Sequence, residues 1–363
     1  MARVLAEGLT KKFGAHAAVD NVTFEVEDKG FVCLLGAPGA GKTTILRMIA
    51  GLEMPTSGNV YIGEDLVNDV PPGNRGIAMM FQTFALYPHK TVFENLSFPL
   101  VKQAMAKDEI RSRVKEVADL LRISHLLDSK PGTLSGGEKQ RVALGRVVVR
   151  RSKVYLWDEP LTNLDAQLRL HMRAELKKLQ SELGQTTIFA TPDEREALAM
   201  AEKIAVLENG KLHQYDATKM MYDHPTDMYV AGFIGSPPMN FIDCTMREDH
   251  GKALLDATHF VIDVSNLVAK METKPIGTEL IAGVRPSEIV VSEERADASS
   301  IPAEVYAIEP MGIVSVIDFK VGDHLVKAKV PASFKTAVKD KLWLSINKER
   351  LHIFDKKTEK NLL

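Results

Sequence analysis

The chain has 363 residues, 45% of them apolar and 26% charged. That length exceeds one ordinary domain and predicts two or three, and the composition excludes a disordered or collagen-like chain. Its 46 Lys and Arg against 48 Asp and Glu give a net charge of -2, with no global pull toward nucleic acid or anionic lipid. Cys33 and Cys244 are too few for a disulfide framework and read as buried residues of a reducing compartment. The start lacks a signal-peptide run, and no apolar stretch reaches about 18 residues. Docking against a membrane protein stays open, and composition is silent on it.

Residues 3–35 read as strands joined by turns. Val22, Phe24 and Val26 alternate with polar residues, as in a half-buried strand. Phe31 to Leu35 is a continuous apolar run that suits the centre of a covered sheet. A Gly-rich loop follows, then a helix from Lys42 to Ala50 closed by Gly51. Short strands are expected at Tyr61-Ile62 and Ile77 to Met80. The pattern turns helical from about 90, and charge spacing predicts a helix over Lys102 to Leu121. Residues 153–157 form a buried strand ending at Asp158. A helix over Asp165 to Leu183, a strand over Thr186 to Ala190 and a hairpin around Asn209-Gly210 follow. Beyond Gly235-Ser236-Pro237-Pro238 strand signals dominate, at 259–264, 301–308, 314–321 and 325–330. The predicted architecture is an α/β domain over 1–235, with a helical insert at about 90–150, and a small β-rich domain over 236–363.

Gly36-Ala37-Pro38-Gly39-Ala40-Gly41-Lys42-Thr43 matches G-x-x-x-x-G-K-[ST], with a strand before it and a helix after it. Glycines let backbone N–H groups face the β- and γ-phosphates, and the helix N-terminus adds its dipole. Lys42 is expected on the β/γ-phosphates and the Thr43 hydroxyl on Mg²⁺. A second acidic element, Asp158-Glu159, ends the strand Val154 to Trp157. Asp158 can hold Mg²⁺ through water, and Glu159 can polarise the attacking water as general base.

With these motifs in place, Leu134-Ser135-Gly136-Gly137-Glu138 resembles the signature of the ATPase subunits of ABC transporters, with Glu138 where Gln is commoner. The resemblance is nearest to the importer subfamily that energises uptake of sugars and related compounds, of the maltose/glycerol-phosphate type. It implies a P-loop NTPase domain followed by an OB-like regulatory domain, whose marks are Gly283-Val284-Arg285-Pro286 and Glu309-Pro310-Met311-Gly312. Arg285 reads equally well as a structural ion-pair residue. By resemblance, ATP contacts extend over Gly36 to Thr43, Thr44, Asp158, Gln82, Asp165 and Phe13. Phe13 alone would read as a core residue; its stacking on adenine rests on the resemblance. Gln82 resembles the glutamine that contacts Mg²⁺ and water. Ser135, Gly136 and Gly137 resemble the groups that cap the γ-phosphate of the opposite subunit, and Asn163-Leu164-Asp165 the loop that crosses the dimer. Tyr87-Pro88-His89 lies where relatives receive a membrane subunit, or is simply a packed loop.

One position departs from the pattern. Relatives carry Thr-His-Asp after the last catalytic strand, whereas this chain has Thr191-Pro192-Asp193. Proline has neither a side-chain donor nor an N–H. Either Glu159 and the remaining groups suffice, or the chain is one half of a heterodimer whose partner supplies a complete site. The implied partners are a second ATPase subunit, two transmembrane permeases and, indirectly, an extracytoplasmic solute-binding protein, with the chain peripheral on the cytoplasmic face of the inner membrane. Nucleic acid is not expected, because the OB-like segment lacks exposed interleaved aromatics and a basic stripe. The rival readings are an ATP-binding regulatory subunit with weak turnover and a non-transport ABC ATPase; the single cassette, without a coiled-coil insertion, speaks against the latter.

Overall fold

In the computed structural model, which describes residues 2–81, 83–162, 164–268, 275–296 and 299–363, two long strands come first. These are β1 (Val4–Phe13) and β2 (His16–Val26); they pair antiparallel and join β4 (Ser57–Ile62) and β5 (Asp65–Leu66) in the order β2-β1-β4-β5. Val22, Phe24 and Val26 are buried in β2, as their alternation predicts. β3 (Phe31–Leu35) is buried along its whole length and leads into α1 (Lys42–Ala50). Helix α1 stops at Gly51, which takes φ 77° and donates to the Met48 and Arg47 carbonyls.

The second sheet has the order β10-β9-β3-β8-β7-β6. Its strands are β6 (Ile77–Met80), β7 (Val154–Asp158), β8 (Thr186–Thr191), β9 (Lys203–Glu208) and β10 (Lys211–Ala217), with β3 central. All neighbours run parallel except β9 and β10. Full burial of β3, β7 and β8 explains their continuous apolar runs. The parallel order brings the carboxyl ends of β3, β7 and β8 together, where ligands of open α/β sheets bind.

Between β6 and β7 lie α2 (Val92–Lys102), α3 (Lys107–Leu120) and α4 (Gly136–Val148). The helix expected from Lys102 is interrupted: α2 ends there, Ala104 takes φ 56°, and α3 starts at Lys107. Asp108 and Glu109 in the first turn of α3 favour that start electrostatically. Helices α5 (Ala166–Leu183) and α6 (Glu194–Met200) flank β8 in sequence.

Contacts divide the chain into two units, Met1–Thr218 and Lys219–Leu363. The sequence boundary near 236 thus lies inside the second unit. The reason is that α7 (Thr218–Asp223) and α8 (Met228–Phe233) are tied to the β-rich part. Arg285 donates to the Ile234 carbonyl at 2.5 Å and to the Tyr222 carbonyl at 2.8 Å, and Ala231 packs with Met239 and Phe354.

The rest of this unit is β11 (Asn240–Asp249), β12 (Lys252–Asp256), β13 (Val261–Asp263), α9 (Ser265–Val268), β14 (Glu279–Val284), β15 (Ile289–Ser292), β16 (Ile301–Pro310), β17 (Val314–Val321), β18 (His324–Pro331), β19 (Lys341–Ile346) and β20 (His352–Asp355). They form two antiparallel sheets, β13-β12-β11-β14-β20 and β15-β19-β16-β17-β18. Leu255 and Leu280 from one and Phe319 and Leu344 from the other share a single core. Cys33 and Cys244 are both buried and free. No helix among the described residues is long and apolar enough to cross a membrane.

Candidate nucleotide site

The loop between β3 and α1 is shaped by glycine where nothing else fits. A Cβ on Gly36 would stand 2.2 Å from the Leu207 carbonyl oxygen, and one on Gly41 would stand 2.6 Å from that of Ala18. Gly39 and Gly41 take φ 85° and 99°, open to glycine at little cost. Among the described residues, the N–H groups of Gly39, Gly41 and Lys42 carry no hydrogen bond. Unpaired donors at a helix N-terminus form a cradle for an anion.

Lys42 is buried and its Nζ donates to the Gly36 and Ala37 carbonyls at 2.6 and 2.9 Å. Burial holds its pKa below the usual value, while Glu159 and Asp158 draw it back up. The ammonium therefore sits in the loop's mouth, held by carbonyls that a phosphate can replace.

Thr43 and Asp158 meet although 115 positions separate them: Thr43 Oγ1 donates to Asp158 Oδ1 at 3.0 Å. Asp158 is 2% exposed, and burial raises its pKa against the Thr43 bond. Two adjacent hard oxygens beside an anion cradle suit a small cation that keeps phosphate and water ligands.

Glu159 leaves β7 at φ 50°, a conformation that strains a non-glycine residue by about 1–3 kcal/mol. Its N–H donates to the Ala190 carbonyl of β8 at 3.0 Å, which turns its side chain off the strand. Its Oε2 accepts from Thr162 Oγ1 at 3.1 Å. In the sequence, the only signal for Thr162 is a hydroxyl three positions after the acid.

Ser135 and Gly136 are exposed, and Ser135 caps α4. The cap is reciprocal: Glu138 N donates to Ser135 Oγ at 3.3 Å, and Glu138 Oε2 accepts from Ser135 N and Oγ, each at 2.8 Å. Those bonds hold the Glu138 carboxyl below its usual pKa. A Cβ on Gly137 would press on Leu168 and Leu164 at 3.2 and 3.3 Å. Gln140, further along α4, donates to the Pro160 carbonyl and so ties this helix to the segment after Glu159.

Comparison with known proteins decides the family. A model described as ABC transporter matches residues 19–162, and one described as MalK OB fold domain matches 235–289. The trehalose/maltose import ATP-binding protein MalK of Thermococcus litoralis is 43% identical, across 99% of each chain. This chain belongs to the ATP-binding subunits of ABC transporters. Another relative, the sulfoquinovosyl glycerol transport ATP-binding protein SmoE of Agrobacterium fabrum, is 39% identical across 100% of both chains. The solved dimeric cassette MJ0796, bound to ADP and Pi, matches with TM-score 0.55 and 32% identity, over 59% of this chain and 98% of that one. The chain is thus an ATP-binding, ATP-hydrolysing enzyme of P-loop fold with a helical subdomain and a C-terminal OB-like domain.

The remaining expected residues of this ABC ATPase fall as follows. Phe13 is 50% exposed at the end of β1, with Lys11 Nζ 5.1 Å from its ring centre, so it is not a core residue. Thr44 lies in the first turn of α1. Asp165 caps α5 by accepting from Leu168 N at 2.9 Å. Gln82 and Asn163 lie outside the described residues. Pro192 joins β8 to α6, and the polar groups beside it form a cluster that sequence gave no sign of. Thr191 Oγ1 donates to the buried Glu196 at 2.6 Å, and Asp193 Oδ2 meets Arg173 Nη2 at 3.4 Å. Tyr87 is packed rather than loose: its ring lies 4.8 Å from that of Phe98, and the Arg146 guanidinium sits over it at 4.6 Å. Arg146 also lines a recess of about 180 Å³, together with Phe81, Phe84, Pro99, Ala143 and Arg150. Arg285 is bound to carbonyls and stacks on Tyr222 at 3.8 Å, a structural role.

Proposed function

We propose that the chain energises import of a polar solute of the sugar class, hydrolysing ATP while docked on two separate permease subunits. The similarity that runs across both units to proteins named for sugar import or transport is the observation that carries this reading. In the scheme, the chain works as a dimer, as MJ0796 does, peripheral on the cytoplasmic face of the cell membrane. The surface around Tyr87-Pro88-His89 is the docking surface for a permease.

The residues take these roles. The unpaired N–H groups of Gly39, Gly41 and Lys42 cradle the β- and γ-phosphates, and the Lys42 side chain exchanges its carbonyl partners for phosphate oxygens. Thr43 and Gln82 would hold Mg²⁺ directly, and Asp158 would hold it through water. When bound, the cation neutralises charge spread over the transferring phosphoryl group. Glu159 accepts the proton of the attacking water, and Thr162 fixes the carboxylate that does so. Phe13 stacks on the adenine. Ser135, Gly136 and Gly137 cap the γ-phosphate bound to the other subunit, and Asp165 reaches across the same interface. For Ser135 to do so, its hydroxyl gives up Glu138 as acceptor.

A second reading has its own observation: Pro192 offers no donor to a phosphate. In that reading the chain is a slow or regulatory half of a heterodimer. Co-expression with candidate permeases and reconstitution in vesicles tests both. Solute-stimulated ATP turnover with this chain as the sole ATPase supports import by a homodimer. Turnover that requires a second, different ATPase chain supports the heterodimer. Failure to associate with any permease contradicts the transport reading.

A further inference from the structure

The second unit holds a cavity of about 300 Å³ that ATP chemistry does not use. It opens between the end of α7, the turn before β20, and β20 itself. Tyr222, His224, Arg350 and His352 line it, with Glu288 and Glu349. That volume lies at the lower end of small-molecule sites.

His352 is the informative residue. It is 9% exposed, yet among the described residues neither ring nitrogen makes a hydrogen bond to the protein. The ring lines the cavity, so its nitrogens are available to a ligand that enters. Burial first, then Arg285 and His224, lowers the His352 pKa to about 4. The ring is therefore neutral near pH 7 and presents one donor and one acceptor.

The rest of the lining narrows the chemistry. Arg285 forms a fixed wall, since its guanidinium is held by the Tyr222 and Ile234 carbonyls. Arg350 Nη1 pairs with Asp223 at 3.3 Å, and Glu288 accepts from Asn347 at 2.8 Å. Two guanidiniums therefore face three carboxylates. A phosphate or polyanion meets those carboxylates, and a polycation meets Arg285 and Arg350; neither sign gains much. A ligand rich in hydroxyls can both donate to the carboxylates and accept from Arg350 and the imidazole. Leu351, Leu267 and Leu363 offer apolar surface to its C–H faces.

We propose that this cavity binds a neutral polyhydroxylated solute of monosaccharide to disaccharide size, with His352 as its buried hydrogen-bonding contact. The site is independent of the nucleotide site and of the transport reading, because it rests on the second unit alone.

The test uses the full chain, with its histidine rings isotopically labelled, and follows the His352 ring signal by NMR. The His352→Gln variant assigns that signal. Glucose, xylose, maltose and trehalose are the neutral probes; inorganic phosphate and spermidine are the charged ones. The expected result is a saturable shift with at least one sugar at millimolar concentration and little response to phosphate or spermidine. Calorimetry with that sugar should show at least tenfold weaker binding to His352→Gln, with ATP affinity unchanged. Arg350→Gln, at the exposed mouth, should also weaken sugar binding and serves if the first variant does not fold. A silent His352 signal with every sugar means the cavity holds water only and overturns the proposal. Tighter binding of phosphate or spermidine overturns the ligand class, and sugar binding unaffected by both substitutions overturns the site.

Discussion

The hydroxyl of Thr162 is the structure's own addition to the hydrolytic site, and its removal has a calculable effect. Thr162→Val keeps the shape and deletes the 3.1 Å bond to Glu159 Oε2. Hydrogen bonds to charged groups contribute about 1.5–3 kcal/mol, and Glu159 is only partly buried, which argues for the low end. About 1.5 kcal/mol corresponds to roughly a tenfold fall in rate. Thr162 does not line the phosphate cradle, so the loss should appear in kcat with KM for ATP nearly unchanged. Steady-state phosphate release from the purified chain measures both. Thr162→Ser retains the hydroxyl and should recover most of the rate, which separates positioning from packing. Turnover in Thr162→Val equal to the parent, or Thr162→Ser as slow as Thr162→Val, refutes the reasoning.

Other outcomes follow from the same geometry. Gly36→Ala drives a methyl group into the Leu207 carbonyl and should cost about 2 kcal/mol or more, read as a lower thermal midpoint; an unchanged midpoint contradicts the close approach. Pro192→His should leave turnover at least equal to the parent, because proline supplies no donor that the substitution removes; a clear fall shows that Pro192 itself supports the site. The His352 pKa, at about 4 against about 6.5 unfolded, makes the second unit's stability depend on pH. The unfolded chain takes up the proton first, so stability is full above about pH 6.5 and declines by about 3 kcal/mol toward pH 4. Urea titrations at pH 7 and 5 should show that decline, and His352→Gln should flatten it; an identical slope in the variant rejects the assignment.

Much of the nucleotide site was legible because its constraints are local. The loop from Gly36 to Thr43 needs glycine at fixed positions, and β3 and α1 flank it within a few residues. Asp158 was readable as the polar end of a buried strand. What could not be read is what folding brings together from a distance. The Arg173–Asp193 pair joins α5 to the start of α6 across 20 positions, and no periodicity encodes it. In the second unit, β11 buries alternate residues Ile242, Cys244 and Met246, but polar Asn240 at its start and Arg247-Glu248-Asp249 at its end mask the pattern in the sequence. The break after Lys102 falls in Gln103-Ala104-Met105-Ala106, which holds no Gly or Pro to announce it. The shift of the unit boundary to 218/219 depends on Arg285 reaching back to Tyr222, a contact across 63 positions.

The most direct test of the account is the effect of Glu159→Gln on ATP turnover. The amide keeps the size and loses the base, so hydrolysis should fall by about 100-fold or more while ATP still binds. Turnover within twofold of the parent chain would contradict the assignment of Glu159 and, with it, the mechanism derived from this site.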